Sequence, residues 1–193
     1  MLDVAFVVDS SSKSQGQAAW SQMISFVNLI IDRLAISQSV IRIAFVSYSD
    51  RANVEFRFNT YTDSQSTKQG VTNVGYLGTT VSSNLAAAFD ALRDQVFVTS
   101  AGARSNVPWV AVIITDRSPN IRTQDTASIA SQLRAAGIQI IPIGVLGSGQ
   151  LSTNILNQIT YEQTRVTTVN TYSQLTGVAE QVAGWVCNSH LRE

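Results

Sequence analysis

Four apolar runs of strand length divide this chain, and helical periodicity fills the gaps between them. The runs are Leu2–Val8, Ile41–Ser49, Val107–Thr115 and Ile138–Val145. They are short and rich in β-branched residues, so they read as strands rather than buried helices. Between the first two, Trp20, Met23, Ile24, Phe26, Val27, Ile30, Ile31 and Leu34 recur at three- and four-residue spacing. That spacing predicts a long amphipathic helix over Gln15 to Leu34 with a wide buried face. Further helices are predicted over Leu85–Gln95, Asp125–Ala136, Leu151–Ile159 and Tyr172–Val186. Gly137 marks the end of the second of these, and the polar stretch Tyr61–Val74 holds one short helix.

Strands alternating with helices predict a mostly parallel sheet, with helices on both faces and right-handed crossovers. Asn53–Phe58 follows the second run after only Asp50-Arg51-Ala52, a hairpin spacing. It reads as one antiparallel edge strand with Val54, Phe56 and Phe58 on a common face. Arg165–Val169 is a further short strand. Pro142, inside the fourth run, predicts an irregular strand end there. The 193 residues, with no repeat, linker or low-complexity tract, read as a single domain over 1–193.

Charged residues make up only 13% of the chain and the formal net charge is zero. A surface of Ser, Thr, Asn and Gln interacts through hydrogen bonds rather than a strong field, so capture of nucleic acid or anionic membrane is not expected. No apolar run approaches the ~18 residues needed for a membrane span.

The chemistry of the chain lies where its strands end. Asp9-Ser10-Ser11-Ser12 closes the first run and Asp116 closes the third. The Gly75–Asn84 loop adds glycines and hydroxyls ahead of a helix that Ser82, Ser83 or Asn84 could cap. In open α/β sheets ligands bind outside the carboxyl ends of the strands. Carboxylates with hydroxyls form a hard-oxygen set suited to Mg²⁺, Mn²⁺ or Ca²⁺. The same residues are also ordinary turn and cap formers. Catalytic arrangements are missing from the sequence. The single His, His190, is near the end, and Cys187 has no His beside it to activate it. There is no phosphate loop, no dinucleotide fingerprint and no zinc spacing.

In order along the chain, LDVAFVVDSSS, IRIAFVSYSDRANVEFRF, YLG followed by hydroxyls and AAAFDALRDQVF, VPWVAVIITDRSPN, and AAGIQIIPIGV resemble the von Willebrand factor type A domain, also called the integrin-type I domain. Each segment alone is weak evidence. Five in order over nearly the whole chain are specific. The resemblance implies a doubly wound sheet with a metal-ion-dependent adhesion site at its top, completed by a carboxylate from a protein partner. Matched residue by residue, it implies Asp9, Ser11 and Asp116 as ligands of a divalent cation, Mg²⁺ or Mn²⁺ with Ca²⁺ as the alternative. The fourth ligand is Ser83 when the loop is aligned from the following helix, and Thr80 when it is aligned from YLG; Ser83 is preferred. Lys13 departs from the pattern, standing where the family has a second hydroxyl, and Arg117 stands where it has glycine. Lys offers three donors and no acceptor, and a cation beside the carboxylates opposes metal binding.

The resemblance further implies a secreted, non-enzymatic adhesion module of the extracellular matrix, with no catalytic residue. Its partner would be collagen or another matrix protein, and the parent chain would carry tandem A domains. Cys187 would pair with a cysteine outside this chain, or remain a buried or free thiol. The alternative is a structural matrix domain whose site has degenerated, binding without metal through other surfaces.

Overall fold

The computed structural model describes residues 1–11, 16–76 and 80–190. Six strands form one sheet: β1 (Leu2–Asp9), β2 (Ile41–Tyr48), β3 (Ala52–Phe56), β4 (Trp109–Thr115), β5 (Ile138–Val145) and β6 (Thr167–Val169). The spatial order is β3-β2-β1-β4-β5-β6. All neighbours pair in parallel except β2 and β3, the antiparallel hairpin. Helices α1 (Gly16–Ile31), α2 (Ser64–Thr72) and α6 (Leu175–Cys187) cover one face. Helices α3 (Leu85–Ala91), α4 (Thr123–Ala135) and α5 (Thr153–Ile159) cover the other. This is the doubly wound α/β architecture.

Because both faces are covered, the middles of the central strands, such as Val4–Val8 and Val110–Ile114, are apolar at consecutive positions rather than at alternate ones. Val4, Phe6 and Val8 of β1 pack towards α1 and α6, while Ala5 and Val7 pack towards α3 and α4. Ala5, Ala44 and Ala111 stand in register across three strands. That row of small side chains shares its cluster with Ala86 and Ala88 of α3, so the helix can lie close to the sheet. At the lower edge Asp3, fully buried, receives Arg104 through Nε at 3.0 Å, Nη2 at 2.7 Å and the backbone N at 2.7 Å. The same guanidinium donates to the carbonyls of Leu2, Ser39 and Val40, tying the start of β1 to two loops.

Two local expectations fail for identifiable reasons. The β2–β3 register shifts between Phe45 and Val46, so Phe45 faces Phe56 while Val46 faces Val54. The bulge adds one residue and breaks the two-residue alternation. Phe56 therefore packs with the α1 face, and Val54 and Phe58 with the α3 face, instead of all three sharing one. Pro142 does not disturb β5, which runs unbroken from Ile138 to Val145. The ladder to β6 starts one residue later, at Ile143, so the missing N–H takes nothing from that edge. The expected end of α4 holds: Gly137 takes φ +85°, a left-handed geometry that other residues resist. Among the described residues no helix is long and apolar enough to cross a membrane.

Candidate metal centre

The chain turns to opposite sides of the sheet after β1 and after β4, so these neighbours form the topological switch point. A crevice opens beyond their carboxyl ends. Asp9 is the last residue of β1 and Asp116 the first after β4, and neither is exposed. The Asp9 carboxylate is densely solvated by protein. Ser11 donates to Oδ1 through its backbone N at 2.8 Å and its Oγ at 2.5 Å. Thr115 Oγ1, at 2.9 Å, and Ser83 Oγ, at 3.2 Å, reach Oδ2. Ser10 fastens this loop to the end of β2, its N and Oγ both donating to the Tyr48 carbonyl, at 2.8 and 2.9 Å.

Ser83 arrives by a clamp rather than by regular structure. Its N–H donates to Asn120 Oδ1 at 2.8 Å, and its carbonyl accepts from the N–H groups of Asn120 and Ile121 at 3.0 and 3.2 Å. Asn120 Nδ2 also holds the Val81 carbonyl at 3.1 Å. Asn84, the next residue, caps α3 by accepting from Ala87 N and donates to the Asp50 carbonyl. The Ser83 loop is thus pinned on one side to the β4 exit and on the other to the β2 exit.

Asp116 is treated unequally on its two oxygens. Tyr172 OH donates to Oδ2, whereas Oδ1 is buried and has no hydrogen-bond partner among the described residues. Leaving a buried acceptor unmet costs about 1–3 kcal/mol, more for a charged group. Ser148 Oγ steadies the residue by donating to its carbonyl at 2.7 Å. A carboxylate oxygen in that state, beside a second carboxylate and two hydroxyls, fits a hard divalent cation. Arg117 makes no ion pair with Asp9 or Asp116 among the described residues. Its backbone N–H turns back to Thr115 Oγ1 at 3.2 Å.

Titration behaviour records the concentrated negative charge. Burial, and then the charge of Asp116, push the Asp9 carboxyl up to about 6, against the opposing pull of the Ser11 and Thr115 hydrogen bonds. Burial and then Asp9 hold the fully buried Tyr48 phenol well above its usual value. Tyr76 is raised as well, by burial and then by Asp116 and Asp9.

Of the residues that sequence reading nominated, the structure brings Asp9, Ser11, Ser83 and Asp116 to one place. Thr80 is not brought to Asp9; its Oγ1 accepts from Ser82 N at 3.3 Å. Lys13, with Ser12 and Ser14, lies outside the described residues. Thr115, Asn120, Tyr172 and Tyr48 escaped that reading. Thr115 carried a signal, being the polar end of an apolar strand beside Asp116. Tyr172 and Asn120 carried none, because only the closed fold puts them there. Cys187 lies half-buried at the end of α6, with no disulfide partner among the described residues.

Fold and site together define an open, doubly wound α/β domain with an oxygen-donor cluster at its switch point. The chain belongs to the von Willebrand factor type A domain family, whose profile matches residues 3–181. Matrilin-3 of Mus musculus is 37% identical over 147 residues, which cover 75% of this chain and 29% of that protein. The human collagen alpha-6(VI) chain is 28% identical over 146 residues, covering 76% of this chain and 6% of that one. This chain therefore spans less than a third of the length of these relatives. The structure of proximal thread matrix protein 1 from the mussel byssus, with a zinc-occupied MIDAS motif, superposes with a TM-score of 0.86 at 26% identity. It covers 96% of this chain and 46% of that one. With these relatives, the chain falls among the proteins of the extracellular matrix.

Proposed function

We propose that this chain is one adhesion module, spanning residues 1–193, and that it contacts collagen or another matrix protein through a divalent cation at the carboxyl ends of β1 and β4. Asp9, Ser11, Ser83 and Asp116 would hold the ion, Mg²⁺ or Mn²⁺ with waters retained. The bound ion would supply a Lewis-acidic position able to accept an oxygen from the partner. The observation that carries this reading is the buried Oδ1 of Asp116, without a hydrogen-bond partner among the described residues, on a residue close enough to Asp9 to raise its titration. The zinc-occupied motif of the byssal protein supports it by analogy. The role is binding, not catalysis: the two aspartates are the only general bases in the candidate loops, and the cation would occupy both.

One observation favours a second reading, a metal-free structural domain. Both oxygens of Asp9 already have protein donors in Ser11, Ser83 and Thr115, so that carboxylate is satisfied without a cation. Binding to immobilised collagen fibrils, measured in Mg²⁺ and in chelator and repeated with Asp9→Ala, separates the two. Cation bridging predicts that chelator and Asp9→Ala each abolish binding. Binding that survives both would favour the metal-free reading.

A further inference from the structure

Tyr172 is the least expected member of the site, because it comes from the segment that leads into the last helix. Its ring is buried in the core beneath α1 and α6. Its backbone is held rigidly. Tyr172 opens a short 3₁₀ turn, Tyr172–Gln174, whose capping box is complete. Gln174 Oε1 accepts from the N–H groups of Asn170 and Thr171 at 2.9 and 3.1 Å. Just before it, the Val169 carbonyl accepts from Leu146 N at 2.8 Å, locking the turn to the end of β5. From this fixed base the phenol donates to Asp116 Oδ2 and leaves Oδ1 buried and unmet.

We infer that Tyr172 is a positioning residue that makes Asp116 a one-oxygen ligand, and that it thereby sets the cation preference of the site. This inference rests on the cation reading above. A carboxylate whose Oδ2 accepts from a buried phenol has one lone pair of that oxygen occupied and its electron density drawn off, so Oδ1, which has both lone pairs unused, is the better donor to a metal. Small ions such as Mg²⁺ and Mn²⁺ require near-octahedral geometry and take single oxygens with waters. Ca²⁺ takes six to eight oxygens and gains from bidentate carboxylates. The phenol therefore selects against Ca²⁺ by weakening the second oxygen as a bidentate partner. Its hydrogen bond also fixes the carboxylate rotamer, so Oδ1 is aimed before the ion arrives.

The test is a Mn²⁺ titration of the full chain followed by electron paramagnetic resonance, with Ca²⁺ as competitor, on the native protein and on Tyr172→Phe. The thermal midpoint of each in chelator reports any purely structural loss. The native protein is expected to prefer Mn²⁺ over Ca²⁺ by about tenfold or more, and Tyr172→Phe to lower that ratio by about fivefold or more. A ratio unchanged by Tyr172→Phe, with Mn²⁺ still bound, overturns the role of Tyr172 and leaves the cation reading standing. No Mn²⁺ bound by the native protein overturns both. If Tyr172→Phe does not fold, the native ratio decides: equal affinity for the two ions overturns the inference, and a clear preference for Mn²⁺ supports it.

Discussion

Asp9→Asn is the substitution whose effect the structure fixes most closely. The unfolded carboxyl titrates at its ordinary value of 3.8, and the folded one is raised to about 6 by burial and by Asp116. The folded state therefore binds the proton more tightly than the unfolded state. Its stability contribution is fully present below 3.8 and is lost as pH rises through 6. The shift of roughly 2 units corresponds to about 3 kcal/mol in all, and about 2 kcal/mol of it falls between pH 4.5 and 7.5. Because Asp9 is wholly buried, solvent screening does not reduce this much. Asn has nearly the same shape and no charge to desolvate, and the surrounding hydroxyls can turn to accept from its amide. Urea unfolding in chelator, of the native protein and of Asp9→Asn across that range, isolates the effect as a difference. The native protein should lose about 2 kcal/mol relative to Asp9→Asn between the two pH values. A difference that stays flat, or that moves in favour of the native protein as pH rises, would refute the charge-crowding account.

Two further substitutions probe what holds the domain and its site in place. Arg104→Ala leaves Asp3 charged and buried without its guanidinium and frees three carbonyls. It should cost about 3–5 kcal/mol in urea unfolding, the range for breaking a buried ion pair, and a loss under 1 kcal/mol would show that Asp3 finds other partners. Asn120→Ala removes the side-chain clamp on Val81 and Ser83. Its cost in stability should be about 1–3 kcal/mol. Calorimetric cation affinity should fall with it, because Ser83 then keeps only the backbone bonds from Asn120 and Ile121 to its carbonyl, and unchanged affinity would show that those bonds alone hold the loop in place.

Much of this protein could be read from its residues, and the limits of that reading have physical causes. The central strands were plain because a sheet covered on both faces needs unbroken apolar runs, which few other structures require. Asp9 and Asp116 were plain because a carboxylate directly after such a run has nowhere to go but the strand's carboxyl end. Ser83 needed the fold to separate it from Thr80. Three residues of loop make little difference to composition but decide which hydroxyl reaches Asp9. The bulge at Phe45 and Val46 left no trace, since β3 keeps its alternation in sequence while losing it in space. Tyr172 was hidden more deeply, being 56 residues from the aspartate it touches and inside a segment that reads only as the start of a helix. Local periodicity reports which face a residue takes, and it reports nothing about which distant side chain meets it there.

Whether Asp9, Ser11, Ser83 and Asp116 hold a divalent cation is decided by anomalous diffraction from a crystal grown with Mn²⁺. A peak is expected between Asp9 and Asp116, at bonding distance from Asp116 Oδ1 and from the Ser83 hydroxyl, and should be lost in Asp116→Ala crystals grown in the same way. Well-ordered aspartates and hydroxyls with no anomalous peak among them, at a Mn²⁺ concentration that loads other surface carboxylates, would contradict it.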